Sequence, residues 1–197
     1  SSNVALNQPA TQSSEGWSGA ASRGVDGNND GNYWGNSCTH TDGDPSGIEW
    51  WQVDLGAPYA ITDVNIYHRT DCCASRLLTA NVIVSDTSDY TTGSNCGQLD
   101  DSAGQPDVTT CGITGQFVTV QHENQFITIC ELEVMAPAAG FAIEFTMDGD
   151  TYGGSATSDA YELPDPVFLG FSGRTGGATN NHWVRNIVFS AGGGSSE

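Results

Sequence analysis

Two neighbouring stretches, Trp50-Trp-Gln-Val-Asp-Leu55 and Ile61-Thr-Asp-Val-Asn-Ile-Tyr67, alternate apolar and polar residues over most of their length. Alternation with a period of two is typical of β-strands that bury one face. Related stretches occur at 80–84, 117–121 and 126–134, and turns rich in Gly, Ser, Asp and Thr, such as 54–56, separate them. Because no segment sustains an apolar period of 3.6 residues, the sequence predicts an all-β fold, a β-sandwich or jelly roll.

The strand pattern breaks at Ala-Pro-Ala-Ala-Gly, residues 136–140, and all six cysteines precede this break. We therefore expect a first domain at 1–135, a linker at 136–140, a partial β segment at 141–190 and a Gly/Ser tail at 191–197.

The composition restricts the classes of function. The 197 residues include five Arg and no Lys against 24 acidic residues, giving a net charge of −19. Such a surface repels phosphate backbones, so we expect no nucleic-acid partner. No window approaches the ~20 apolar residues of a membrane span. No basic segment followed by an apolar one opens the chain, so Ser1 is expected to be a mature N-terminus.

The six cysteines form no CxxC pair, which disfavours a zinc site or thioredoxin chemistry. Their even number favours three disulfides and an oxidising, extracellular compartment. Spacing alone leaves the pairing open.

The most unusual stretch is Arg69-Thr-Asp71-Cys72-Cys73-Ala-Ser-Arg76. Two rigid guanidinium forks suit an array of sugar hydroxyls, and a carboxylate between them can hold one fork by charge-assisted bonds. Adjacent cysteines that bond to each other would present a compact apolar platform to the C–H face of a pyranose. From these residues alone an alternative stays open, in which each cysteine pairs elsewhere and both arginines form surface ion pairs.

Six stretches in the first ~135 residues carry a family resemblance: Asn3-Val-Ala-Leu-Asn-Gln-Pro-Ala-Thr-Gln-Ser-Ser14, Val25-Asp-Gly-Asn28, Ser37-Cys-Thr-His40, Trp50-Trp-Gln-Val-Asp-Leu55, Arg69-Thr-Asp-Cys-Cys73 and Ile129-Cys-Glu-Leu-Glu-Val134. They resemble the F-type lectins, the fucose-binding family of eel agglutinin. The family motif, a His followed by Arg-x-Asp and a further basic residue, reads here as His40, Arg69, Asp71 and Arg76. The resemblance implies a discoidin-like β-sandwich, and the loop between His40 and Arg69 is slightly longer than usual.

The resemblance also implies the roles of these residues. His40, Arg69 and Arg76 would hydrogen-bond the ring oxygen and hydroxyls of L-fucose, while Asp71 orients the arginines. A Cys72–Cys73 disulfide would pack against the sugar ring, and Tyr33 and Trp34 would line a pocket for the fucose methyl group. Two further disulfides are implied, Cys38–Cys130 and Cys96–Cys111.

Asp26-Gly-Asn28-Asn-Asp30-Gly31 copies the first half of an EF-hand loop. Its twelfth position is Ser37 rather than a bidentate Glu, and no amphipathic helices flank it, so we do not expect an EF-hand. The resemblance implies instead one structural Ca²⁺, held by the carbonyls of Arg23 and Cys130 and by Asp26, Asn28, Ser37 and Glu131. A solvated turn rich in Asp and Asn is the alternative.

The segment 168–189 resembles the closing strands of concanavalin-like, legume-lectin-type jelly rolls, but a complete domain of that type is about four times longer than this region. A truncated domain, a segment packed on the lectin domain and strands completed by another subunit are all compatible with it. We favour the last, because exposed edge strands invite pairing.

The expected function is therefore a secreted, calcium-stabilised lectin for L-fucose-containing glycans. One alternative is a structural or adhesive subunit of an extracellular oligomer or filament, assembled through the C-terminal strands. A glycosidase is disfavoured, because it needs paired carboxylates whereas the motif supplies one carboxylate beside two arginines.

Overall fold

The computed structural model describes residues 1–43, 47–100 and 104–137 with their side chains, and 140–147, 150–157 and 185–191 as backbone strands. The chain divides into two compact units, Ser1–Pro137 and Ala138–Glu197. The division falls within the predicted linker at 136–140. Most of the predicted Gly/Ser tail and residues 168–184 of the C-terminal resemblance lie outside the described residues.

The first unit is built on one antiparallel sheet of seven strands, which confirms the predicted all-β class. The strands are β1 Ser2–Asn3, β2 Ala10–Gln12, β3 Ile48–His68, β4 Asn81–Ser85, β5 Ser94–Gln98, β6 Asp107–Glu123 and β7 Ile129–Ala136. Their order is β1-β7-β3-β6-β4-β5, and β2 pairs with β3. The described helical segments are four short 3-10 turns at Ala21–Val25, Tyr33–Gly35, Ala74–Leu77 and Tyr90–Thr92.

The prediction of a turn at 54–56 between two strands is wrong, because β3 continues through this region. Asp54 pairs with Phe117 and Tyr59 pairs with Gly115, so the same partner strand, β6, runs along both sides of the irregularity. Gly56 adopts a φ of +77°, and its amide donates to Oδ1 of Asp54 over 2.8 Å. A bulge thus replaces the expected reversal, since extra residues on one strand bend the ladder without ending it.

The alternating residues of β3 form the centre of the core. Trp51, Val53 and Val64 are wholly buried, and they join a cluster that includes apolar residues of β4, β6 and β7. The indole of Trp51 also donates to the carbonyl of Ala21 over 2.9 Å, which satisfies its one polar group. Because β3 ends at His68, this core fixes the position of the residues that follow.

Three disulfides close in the first unit: Cys38–Cys130, Cys72–Cys73 and Cys96–Cys111. They are the pairs that the family resemblance implies. Cys38–Cys130 is buried beside Tyr33 and joins the segment before β3 to β7, whereas Cys96–Cys111 joins β5 to β6.

The second unit contributes β8 Gly140–Met147, β9 Asp150–Thr157 and β10 Arg185–Ala191, an antiparallel sheet in the order β10-β8-β9. Its resemblance to a concanavalin-like jelly roll stays a prediction. Across the described part of the chain, no helix has the length and apolar character required to cross a membrane.

Candidate functional site

A pocket of about 290 Å³ opens beside the end of β3. It is lined by Trp17, Tyr33, Trp34, His40, Arg69, Cys72, Cys73, Arg76 and Phe126. All of the predicted sugar-binding residues except Asp71 therefore line a single cavity, and Asp71 contacts it through Arg69. Trp17 and Phe126 are lining residues that the sequence analysis did not identify.

Arg69 is fixed at the inner wall of the pocket immediately after β3. Only 7% of the residue is exposed, and its guanidinium carbon lies 4.4 Å from the centre of the Tyr33 ring. Asp71 accepts two bonds from it, Nε to Oδ1 at 2.9 Å and Nη2 to Oδ2 at 2.6 Å. These bonds hold the pKa of Asp71 down at about 2, so the pair stays charged at neutral pH. The bidentate clamp fixes the guanidinium plane and leaves Nη1 for a ligand.

His40 lies in a segment that is bonded to the chain just before β7. The flanking Thr39 and Thr41 donate from their amides to the carbonyls of Ile129 and Ile127, at 2.7 and 3.0 Å. Their hydroxyls in turn accept from the amides of those same two isoleucines, both at 2.9 Å. This two-point anchoring leaves the backbone of His40 little freedom.

The hydrogen bonds of His40 define which ring nitrogen carries the proton. Nδ1 lies 2.5 Å from the carbonyl of Thr41, which can only accept, so Nδ1 is the donor. Nε2 is then free to accept, and Nη1 of Arg76 lies 3.2 Å from it. Burial lowers the pKa of His40, the charges of Arg76 and Arg69 lower it further, and the Thr41 bond opposes them. The imidazole is accordingly neutral at physiological pH.

Arg76 belongs to the 3-10 turn Ala74–Leu77, which begins after Cys73. Cys73 adopts a left-handed conformation with φ +61°, and the Cys72–Cys73 disulfide lies exposed at the pocket. The guanidinium of Arg76 lies 4.7 Å from the centre of the Phe126 ring. The turn therefore places a second cation in the same pocket as Arg69. The disulfide, which lies between the two arginines in the sequence, lines the pocket as well.

The two tryptophans of the pocket differ from its polar groups in exposure. Trp17 and Trp34 are 73% and 75% exposed, against 3% for His40. The ring of Tyr33 is buried, meets Trp34 edge-on at 5.9 Å, and its hydroxyl donates to the carbonyl of Trp17 over 2.7 Å. The pocket thus has a buried polar floor and an exposed aromatic rim.

Of the two lining residues that the sequence does not predict, Trp17 has a local sequence signal and Phe126 has none. Trp17 lies in a glycine-flanked segment, Gly16-Trp-Ser-Gly19, a pattern that favours an exposed aromatic in a turn. Phe126 has no comparable local signal. It reaches the pocket because the next residue, Ile127, pairs with Thr41, which is a long-range contact.

One of the predicted calcium residues, Glu131, is a buried acid that contacts the loop of Asp26. Glu131 is 2% exposed, its Oε2 accepts from the amide of Gly27 at 3.0 Å, and its Oε1 has no hydrogen-bond partner. Burial raises the pKa of Glu131 to about 7; the charges of Asp26 and Glu133 contribute to the rise, and backbone hydrogen bonds from Gly27 and Asp26 oppose it. A buried carboxylate oxygen without a partner beside a second carboxylate is the environment that a cation neutralises.

The remaining expected donors lie on the segment 23–28 and beside the Cys38–Cys130 disulfide. Asp26 and Asn28 shape their loop by accepting from the amides two residues ahead, at 2.9 and 3.2 Å. Ser37 is wholly buried and adjoins Cys38, the disulfide partner of Cys130. Arg23 donates to the carbonyl of Cys38 at 3.3 Å. The described residues contain no cluster of three or more His, Cys, Asp or Glu that could hold a metal ion.

The loop at 26–31 is bonded to the residue that follows Arg69. The amide of Thr70 donates to the carbonyl of Gly31 over 2.9 Å. A Cβ on Gly31 would lie 2.7 Å from the Thr70 side chain, so only glycine permits this approach. Order in the loop is thereby transmitted to the residue next to Arg69.

An all-β sandwich with a small, shallow pocket of arginines, a neutral histidine and aromatic rings defines a carbohydrate-binding module. A family model described as NedA-like, galactose-binding domain matches residues 23–120. Fucolectin-3 of Anguilla japonica is 37% identical over 144 residues, which cover 67% of this chain and 78% of the relative. The chain belongs to the F-type lectin, or fucolectin, family.

Solved structures support the same assignment. A fucose-binding module of Streptococcus pneumoniae, SpX-3, is similar with a TM-score of 0.59 at 29% identity, covering 69% of this chain and 98% of that one. The fucolectin from the serum of striped bass, Morone saxatilis, has a TM-score of 0.63 at 29% identity, covering 74% of this chain and 55% of that one.

Proposed function

We propose that this chain is a secreted, calcium-stabilised lectin that binds L-fucose-containing glycans in the described pocket. The observation that carries the proposal is the convergence of His40, Arg69 and Arg76 on one cavity beside the Cys72–Cys73 disulfide. The relatives named fucolectins and the fucose-binding module support the choice of sugar.

The proposed contacts follow from the chemistry of each group. Arg69 and Arg76 donate to the ring oxygen and to hydroxyl oxygens, since a guanidinium has donors only. Neutral His40 accepts from Arg76 through Nε2, and a sugar hydroxyl can take the place of Arg76 as the donor to this nitrogen. The disulfide packs on the C–H face of the ring, and Tyr33 and Trp34 contact the methyl group.

Calcium has a structural role in this proposal. Asp26, Asn28, Ser37 and Glu131, with the carbonyls of Arg23 and Cys130, would hold the ion. Bound Ca²⁺ would supply a positive charge next to the buried Glu131 carboxylate and so neutralise it. The loop at 26–31 would then be ordered, and the bond that the Thr70 amide donates to the carbonyl of Gly31 supports the position of Arg69.

The chemistry of the pocket supports binding rather than hydrolysis. A glycosidase requires a general acid whose pKa is raised. Asp71 bonds to the lining residue Arg69, and these bonds hold the pKa of Asp71 at about 2. Asp71 is therefore assigned to orienting Arg69.

Secretion is supported by the three disulfides, which persist in oxidising compartments.

Calorimetric titration of the full chain tests this function. Methyl α-L-fucoside in calcium should bind, whereas Arg76→Ala should show no measurable binding and an unchanged circular dichroism spectrum. D-galactose serves as the comparison sugar, because the matched family model is described as galactose-binding. Absence of L-fucoside binding in calcium, or undiminished binding by the Arg76→Ala protein, would refute the proposal.

A further inference from the structure

The two arginines of the pocket are held in different ways. Arg69 is clamped by Asp71 through two hydrogen bonds of 2.9 and 2.6 Å. Among the residues that the structure describes, no carboxylate bonds to Arg76, whose side chain forms one hydrogen bond, from Nη1 to Nε2 of His40 over 3.2 Å. Its guanidinium carbon also lies 4.7 Å from the centre of the Phe126 ring. Arg76 is therefore restrained by an aromatic ring where Arg69 has a carboxylate.

The three polar groups of the pocket are arranged on two aromatic rings. Arg69 lies over Tyr33 at 4.4 Å, and Arg76 lies over Phe126. The imidazole of His40 contacts both rings, with its centre 5.7 Å from that of Tyr33 and 5.1 Å from that of Phe126. Of these two rings, the sequence predicts a role for Tyr33 alone.

The backbone of Phe126 is fixed by the residue that follows it. The amide of Ile127 donates to the hydroxyl oxygen of Thr41 over 2.9 Å, and the amide of Thr41 donates to the carbonyl of Ile127 over 3.0 Å. On the same segment, Gly43 has a φ of +63° and lies so close to the ring that a Cβ there would overlap it. Glycine at position 43 therefore leaves the room that the Phe126 ring occupies.

The hydrogen bond between Arg76 and His40 ends when a sugar hydroxyl donates to Nε2 of His40, because this nitrogen has a single lone pair. Arg76 then keeps no side-chain hydrogen bond to the described residues, whereas its contact with Phe126 persists. A guanidinium that lies over a ring face uses none of its N–H donors in that contact. All of them stay available for sugar oxygens.

We propose that Phe126 is a positioning residue, which holds the Arg76 guanidinium in its sugar-binding orientation through a cation–π contact. This inference rests on the proposed function, in which Arg76 donates to the fucose. The ring restrains the cation and still lets the sugar displace its bond to His40. A carboxylate in the place of the ring would compete with the sugar for the same N–H donors.

Fluorination of the Phe126 ring tests this role, because fluorine withdraws charge from the ring face with little change in ring size. Phe126 is replaced by 4-fluoro-, 3,5-difluoro- and 3,4,5-trifluorophenylalanine, and the affinity for methyl α-L-fucoside is measured by calorimetry in calcium. The affinity should fall stepwise along the series, to about tenfold below that of wild type. Phe117 is the matched control: it is partly buried as Phe126 is but does not line the pocket, so the same series there should leave the affinity unchanged.

A spectroscopic measurement on the sugar-free protein separates the positioning of Arg76 from a direct contact between ring and sugar. The ring current of Phe126 should shift the Nε–Hε proton resonance of Arg76 upfield in wild type, and Phe126→Leu should abolish this shift. The chain has five arginines, so comparison with Arg76→Ala assigns the resonance. If fluorination weakens binding while the Arg76 resonance is the same in wild type and Phe126→Leu, the ring acts on the sugar and the positioning role is refuted.

The remaining outcomes distinguish this inference from the function on which it rests. If wild type binds the fucoside and the fluorinated proteins bind it equally well, the role of Phe126 is refuted and the lectin function stands. If wild type binds no fucoside in calcium, both proposals fail.

Discussion

Arg76 donates a hydrogen bond to Nε2 of His40 across 3.2 Å, so a permanent cation and a titratable ring share one side of the pocket. The bond exists only while the imidazole is neutral, because a protonated Nε2 has no lone pair to offer. This relationship makes the binding site sensitive to pH through His40.

We expect L-fucoside affinity to fall as the pH drops below the pKa of His40 in the folded protein, which lies below its ordinary value. The pKa of His40 is lowered in the folded protein, so the unfolded state binds protons more readily and stability decreases as pH falls through that range. Titrations at decreasing pH should show an affinity that is constant above the pKa of His40 and falls by up to tenfold per pH unit below it, because one proton must leave on binding. Asp71 is not the cause, because its pKa is about 2. A His40→Asn variant that retains the same pH profile would contradict this assignment.

Asp71→Asn should weaken fucoside binding about tenfold or more, because a neutral amide cannot form the charge-assisted bidentate clamp on Arg69. The melting temperature should change little, since Asp71 is exposed. Calorimetry and thermal unfolding of the same samples measure both quantities. Equal affinity for wild type and Asp71→Asn would show that Arg69 is held by Tyr33 alone.

The Cys38–Cys130 disulfide should contribute to stability, and the Cys72–Cys73 disulfide should contribute to sugar affinity. Replacing Cys38 and Cys130 by Ala opens a link across 92 residues and should cost about 4 kcal/mol in the free energy of unfolding, from the chain-entropy model. Replacing Cys72 and Cys73 by Ser removes a link between adjacent residues, so stability should be nearly unchanged while fucoside affinity falls. Denaturant unfolding and calorimetry compare the two pairs. A Cys72→Ser/Cys73→Ser protein with full affinity would remove the disulfide from the site.

Calcium should raise the melting temperature of the wild-type chain by about 5 °C or more at saturating concentration, and a chelator should reverse the rise. Glu131→Gln should abolish this response, because the neutral amide retains an acceptor for Gly27 but no charge for the ion. Glu133→Gln is the matched control: it lies two residues along β7, bonds to Asn65, and should respond as wild type does. A full calcium response in Glu131→Gln would place the ion elsewhere.

Local sequence could predict those parts of the site that are contiguous. Arg69, Asp71 and Arg76 lie within eight residues, so their proximity follows from the chain itself. His40 was assigned through the family motif, whereas Phe126 and Trp17 reach the pocket through long-range backbone bonds to the segment 39–41 that no local pattern encodes. For the same reason the bulge in β3 was mistaken for a turn, since only its continuous pairing with β6 distinguishes the two.

Because the floor of the pocket is buried and its rim is exposed, the rim tolerates substitution better than the floor does. The side chains of Trp17 and Trp34 are mostly in solvent, so replacing them removes little packing from the core. His40 and Arg69 are embedded in it and cannot be exchanged without cost to folding. A library randomised at positions 17 and 34 should therefore yield folded proteins that differ in their affinity for sugars. Selection can act on the outer contacts while the inner ones stay unchanged.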